Sequence, residues 1–194
     1  MTGHQKRPEA PDWDALFGVA QSQAGYFTTK QAADAGYSPQ LLAYLVGKKL
    51  EHVRRGIYRL VHFPSSDHED LVILWLWSDR AGVFSHETAL ALHDLSDALP
   101  SQAHLTLPAR WSRRRLRVPA GLVLHFAQLA RQDRASFGPL PVTSPLRTLA
   151  DCIEANLAPN LVGQAILQAR SRGLIRAAEE ARLRAQLEAE MATP

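Results

Sequence analysis

The sequence holds one cysteine, Cys152, in 194 residues, which excludes an intrachain disulfide and any zinc site built from several thiolates of one chain. That usage fits a reducing compartment, and a cytoplasmic location is expected. Long apolar runs are missing too. The longest, LVILWLW at residues 71–77, falls far short of the roughly 20 residues that a membrane-spanning helix needs. The N-terminal MTGHQKRPEAPDWD lacks the apolar stretch of a signal peptide. There is no glycine-rich phosphate loop, no HExxH, no glycine-flanked nucleophile serine and no paired-carboxylate motif. Neither catalysis nor a cofactor nor a metal is therefore expected. No internal repeat occurs, which sets solenoid architectures aside.

What is present is an ordinary globular composition, 46% hydrophobic and 21% charged, in a chain long enough for one large or two small domains. The net charge of +3 conceals an uneven distribution. Residues 28–64 hold six Lys/Arg against two acidic residues, residues 65–103 one against seven, and residues 104–134 seven against one. Two basic blocks flanking an acidic one suggest a polyanion partner for the basic parts. For the second block, a solvated face is an equally good reading.

Punctuation along the chain predicts an α+β protein. Residues 1–11, polar with two prolines, read as a loose leader. Asp12 caps a helix carrying Trp13, Leu16, Phe17 and Ala20 at helical spacing. Thr28 with Gln31 matches a capping box opening a short second helix that stops at Gly36. Ser38-Pro39 is an N-cap and first-turn pair for a third helix, closed by Gly47. In LEHVRRGIYRL, two β-prone runs flank Arg55-Gly56, a tight hairpin. Three helices and a hairpin make a winged helix-turn-helix over residues 12–64. A mixed α/β domain follows over residues 65–175, beginning with a helix that carries Leu71, Leu74 and Trp75 on one face. Residues 176–194 form a helical tail, with Ala178, Ala181, Leu183 and Leu187 only loosely periodic, expected to fray or to pair with a partner.

A helix-turn-helix works by bracing its third helix against the duplex. Leu42, Leu45 and Val46 fall on one side, to pack inward, while Gln40, Ala43, Tyr44 and Lys48 fall away from it. Gln40 and Tyr44 are candidates for base edges or phosphate. Lys48 and Lys49 after the helix, with Arg54 and Arg55 at the hairpin tip, are placed to meet phosphates or the minor groove. Thr29, Lys30 and Ser38 complete the DNA-binding set. Ile57 and Tyr58 read as hairpin core.

The run GYFTTKQAADAGYSPQLLAYLVGKKLEHVRRGIYRL resembles the N-terminal winged-helix domain of the AbiEi family, antitoxins of bacterial type IV toxin-antitoxin and phage-abortive-infection systems. FSHETALALHDLSDALP, HLTLP and PVTSPLRTLADC resemble the family's C-terminal region. The resemblance implies a repressor of its own operon that binds inverted repeats in double-stranded DNA, as two copies, each a monomer or half of a weak dimer. It also implies a C-terminal domain that counteracts a nucleotidyltransferase-like toxin. Some relatives carry an added restriction-endonuclease-like domain, for which this chain is too short.

Within the second domain, His86-Glu87 and His93-Asp94 invite a metal hypothesis. The two histidines are seven residues apart, too distant to share an ion without a ligand from elsewhere, and structural roles are expected for both. Ser85 reads as a helix cap. Arg110, Trp111, Arg113, Arg114, Arg115 and Arg117 form a second candidate contact for nucleic acid or partner, expected on an exposed hairpin loop. Against the repressor stands one alternative, a protein-interaction module that holds an acidic partner through its basic patches without DNA.

Overall fold

The computed structural model describes residues 10–97 and 100–192. Apart from Ala10 and Pro11, the expected leader lies outside them. The chain divides into two compact units, the first ending at Trp77 and the second beginning at Ser78.

The first unit starts with α1 (Trp13–Gln21), β1 (Tyr26–Thr28), α2 (Thr29–Asp34) and α3 (Pro39–Leu45). The hairpin β2 (Leu50–Arg54) and β3 (Ile57–Leu60) follows, then α4 (Glu69–Trp77). The helix starts are written in side-chain chemistry. Asp12 Oδ1 accepts from the Ala15 N–H at 2.9 Å, satisfying a donor that helix geometry leaves orphaned. At α2 the exchange is reciprocal: Thr28 Oγ1 accepts from the Gln31 N–H, and Gln31 Oε1 from the Thr28 N–H. Ser38 Oγ takes the Leu41 N–H.

The three strands form an antiparallel sheet in the order β1-β3-β2. Arg55-Gly56 makes the two-residue turn of the wing, where Gly56 has φ +76°, a conformation that favours glycine. Leu16, Phe27, Leu42 and Leu50 are fully buried in one core, each contributing about 1.5–3 kcal/mol. Val46 departs from expectation. It sits past the end of α3 in extended conformation and is exposed, because the chain must leave the helical path to bridge to Leu50.

The division after Trp77, rather than after Pro64, also has a physical cause. Tyr26 on β1 donates its phenolic hydrogen to Glu69 of α4 at 2.8 Å, and Arg59 on β3 reaches the same carboxylate at 3.2 Å. The helix is thereby fastened to the winged helix-turn-helix.

The second unit contains β4 (Val83–Phe84), α5 (His86–Leu92), β5 (Ala103–Pro108), β6 (Leu122–Ala127), β7 (Arg134–Phe137) and β8 (Leu140–Thr143). It closes with α6 (Pro145–Glu154), α7 (Pro159–Ser171) and α8 (Ala177–Met191). Its five-stranded sheet runs β6-β5-β4-β8-β7. The β4·β5 and β7·β8 pairs are antiparallel, whereas β4·β8 and β5·β6 are parallel. Leu90, Leu149, Ile153, Val162, Ile166 and Leu183 lie in one helical core. On α8, Leu183 is 1% exposed and Leu187 packs beside it against the core shared with α6 and α7, whereas Ala178 and Ala181 are exposed. Among the described residues, no helix is long and apolar enough to cross a membrane.

Candidate nucleic-acid interface

On α3, Gln40, Ala43 and Tyr44 are all exposed, and Tyr44 is 65% so. Their i, i+3, i+4 spacing places them on one face, while Leu42 on the other is fully buried. Lys48 Nζ lies 3.3 Å from the centroid of the Tyr44 ring. This cation–π contact, worth about 0.5–1 kcal/mol at an exposed site, holds an ammonium at the C-terminal end of the recognition helix. Lys49 points elsewhere, with its Nζ 4.6 Å from the Trp13 ring centroid, and so braces α1.

Arg54 and Arg55 are exposed at the wing turn. The backbone N–H of Thr29 donates to the Gly56 carbonyl at 2.9 Å, which tethers that turn to the start of α2; Lys30 beside it is exposed. Ser38, although exposed, spends its hydroxyl on the α3 cap. Two groups result: Gln40, Tyr44 and Lys48 on the helix, and Thr29, Arg54 and Arg55 at the wing. On the wing, the exposed His52 packs its ring 5.2 Å from that of Tyr58 on the adjacent strand.

Residues 14–61 match the family described as "Transcriptional regulator, AbiEi antitoxin". The matched span lies wholly within the first unit, which is thus similar to AbiEi antitoxin transcriptional regulators over 48 of the 194 residues. Its candidate contacts on α3 and the wing all lie within the matched span. No curated protein matches the chain. Among solved structures, the RV2827C protein from Mycobacterium tuberculosis is similar, at 15% identity over 89% of this chain and 80% of that one, with a TM-score of 0.46.

Beyond the AbiEi span, the arginine segment does not join a hairpin. Because β5 and β6 run parallel, with Ala103 opposite Leu122 and Pro108 opposite Ala127, residues 109–121 must cross over to restart the strand, which takes about a dozen residues. The crossover opens with a 3-10 turn at Ala109–Trp111. It then lays Leu116 and Val118 beside Leu122, Leu124 and Phe126, around a shallow cavity of about 370 Å³ that Arg114 also lines. Arg110, Arg113, Arg114, Arg115 and Arg117 are exposed. Trp111 is half-buried, with the Arg114 guanidinium 4.0 Å from its ring centroid. One face of the indole is therefore covered by a guanidinium of the same segment.

Ser85 stands at the N-cap of α5 but does not cap it. Its hydroxyl accepts from Thr106 Oγ1 at 2.8 Å and lies 2.9 Å from His86 Nδ1. His93 is structural, its Nε2 2.7 Å from the Thr143 carbonyl. His86 instead meets His104 and His125. These two were missed because they sit on separate strands, 21 residues apart, and only the parallel register brings them together.

Proposed function

We propose that this chain is a cytoplasmic repressor of the operon that encodes it and an antitoxin against a nucleotidyltransferase-like toxin. The observation that carries the DNA-binding half is the exposed row Gln40, Tyr44 and Lys48 on the third helix of an AbiEi-type winged helix whose wing ends in Arg54-Arg55. A helix of this kind reads base edges in the major groove, while wing guanidiniums meet phosphates or the minor groove. Two copies, docking as monomers or as a weak dimer, bind an inverted-repeat operator. Thr29, Lys30 and Ser38, at the starts of α2 and α3, flank the phosphate path.

The antitoxin half resides in the second unit, where the exposed arginines of residues 110–117 offer a contact for nucleic acid or an acidic partner. The test is a mobility-shift titration of the full chain with duplex from upstream of its own gene, against scrambled duplex at fixed salt. Preferential binding that is lost on combining Arg54→Ala with Arg55→Ala supports the reading. Equal binding of both duplexes, unaffected by the substitutions, overturns it in favour of a protein-interaction module. Co-expression with a neighbouring nucleotidyltransferase-like protein tests antitoxicity directly, and unrelieved growth arrest would remove that half.

A further inference from the structure

In the second unit, we propose that His86, His104 and His125 form a binding site for a divalent transition-metal ion of the zinc class. Among the described residues, one ligand nitrogen from each of these rings lies within 4.8 Å of the other two. His104 Nδ1 and His125 Nε2 are 3.1 Å apart, close to the edge of about 3.4 Å that a tetrahedron with zinc–nitrogen bonds of about 2.0–2.1 Å requires. His86 lies against the same pair, its ring centroid 3.6 Å from that of His125 and the planes 15° from parallel, so a rotation of the His86 ring is what brings its nitrogen into line with a shared ion. The site spans three elements: β5 supplies His104, β6 supplies His125, and the β4–α5 junction supplies His86.

On His104, Nδ1 faces His125, while Nε2 lies 3.9 Å from Glu87 Oε2, longer than a hydrogen bond but on the side from which a carboxylate can orient a ligating imidazole. On His86, Nδ1 lies 2.9 Å from Ser85 Oγ, which leaves Nε2 for an ion. The serine oxygen also accepts from Thr106, and its two lone pairs can serve both donors. His86 has φ +52°, a left-handed conformation that is strained for a non-glycine residue and that gathers at functional sites.

Three imidazoles select zinc, cobalt, nickel or copper over magnesium or calcium. They leave one position of a tetrahedral ion for a solvent molecule or an anion. A hydrogen bond between His104 and His125 alone accounts for two of the rings. It does not account for the left-handed backbone that presents the third ring, or for the carboxylate near His104.

The experiment uses the full chain, expressed without a polyhistidine tag and stripped with chelator, then titrated with Co²⁺ and Zn²⁺. One equivalent of Co²⁺ should give visible ligand-field bands of low-symmetry tetrahedral coordination, displaced by Zn²⁺ and unaffected by Mg²⁺. His104→Ala and His125→Ala should abolish the bands, Glu87→Gln should weaken binding about 10- to 100-fold, and His62→Ala should leave it unchanged. Nitrogen-detected NMR of the wild-type chain keeps the test independent of whether variants fold. Zn²⁺ should shift the side-chain signals of His86, His104 and His125 among the eight histidines. Zn²⁺ binding that shifts other histidines instead, or no stoichiometric binding at all, overturns the proposal.

Discussion

The Tyr26 hydroxyl donates to the Glu69 carboxylate at 2.8 Å, across 43 residues of chain. Arg59 reaches Glu69 Oε1 at 3.2 Å, and the Ser66 N–H donates to the same oxygen at 3.0 Å. Removing the carboxylate strands a buried phenol and a half-buried guanidinium together. Glu69→Ala should destabilise the first unit by about 2–3 kcal/mol, and Glu69→Gln, which keeps an acceptor, by less. Denaturant unfolding of the full chain checks this, and an unchanged midpoint for Glu69→Ala would refute it.

The same network fixes a pH dependence. Burial pushes the Glu69 carboxyl up, but hydrogen bonds from Tyr26 and Ser66, together with the Arg59 charge, outweigh it and hold the group below its ordinary 4.5. A lowered folded value means that the stabilisation is fully present above about 4.5 and is lost as pH falls through the folded value. The stability gap between wild type and Glu69→Gln should therefore narrow on acidification from neutral pH to about 3. A gap that widens would show the carboxylate to be strained instead of stabilised.

For the wing, the expectation concerns salt. Each phosphate neutralised contributes a slope of about 0.9 to the fall of log affinity with log salt. Replacing both Arg54 and Arg55 by Ala should lower the slope by about 2 and weaken specific and random duplex alike. Titrations at several salt concentrations decide it. A variant with an unaltered slope would place the wing off the DNA.

Helix α3 should behave differently. Gln40→Ala should cost about 1–3 kcal/mol on the preferred duplex and much less on random duplex, since a base-edge contact carries discrimination and a phosphate contact does not. Lys49→Ala should instead lower stability slightly while sparing DNA affinity, because its ammonium is engaged with Trp13. Equal loss on both duplexes for Gln40→Ala would reassign that side chain to phosphate.

Local chemistry explains what was legible in the chain. Asp12, Thr28 with Gln31, and Ser38 bond to residues three positions away, so a short window contains both partners. The turn at Arg55-Gly56 is equally local. What escaped depends on long-range pairing. The first unit extends to Trp77 through a bond from Tyr26 to Glu69 that no window spans. An alternating pair of strands does not reveal whether it runs parallel, so the arginine segment read as a hairpin loop and the meeting of His104 with His125 stayed hidden. Ser85 failed as a cap for a related reason: Thr106, its hydroxyl's partner, lies on another strand.

Two glycines separate backbone strain from crowding. Gly25 has φ +86°, and a Cβ there would fall 2.5 Å from Phe63 Cγ. Gly47 has φ +77°, yet a Cβ there would meet nothing within 4 Å. Gly47→Ala should therefore carry only the conformational cost, about 1 kcal/mol. Gly25→Ala must also displace an aromatic ring packed against the first unit's core, adding about 1–3 kcal/mol. The Gly25 carbonyl accepts from the Leu60 N–H at 2.9 Å, which prevents the backbone from simply moving aside. Denaturation midpoints of the two variants measure the difference, and equal losses would mean that Phe63 yields without cost.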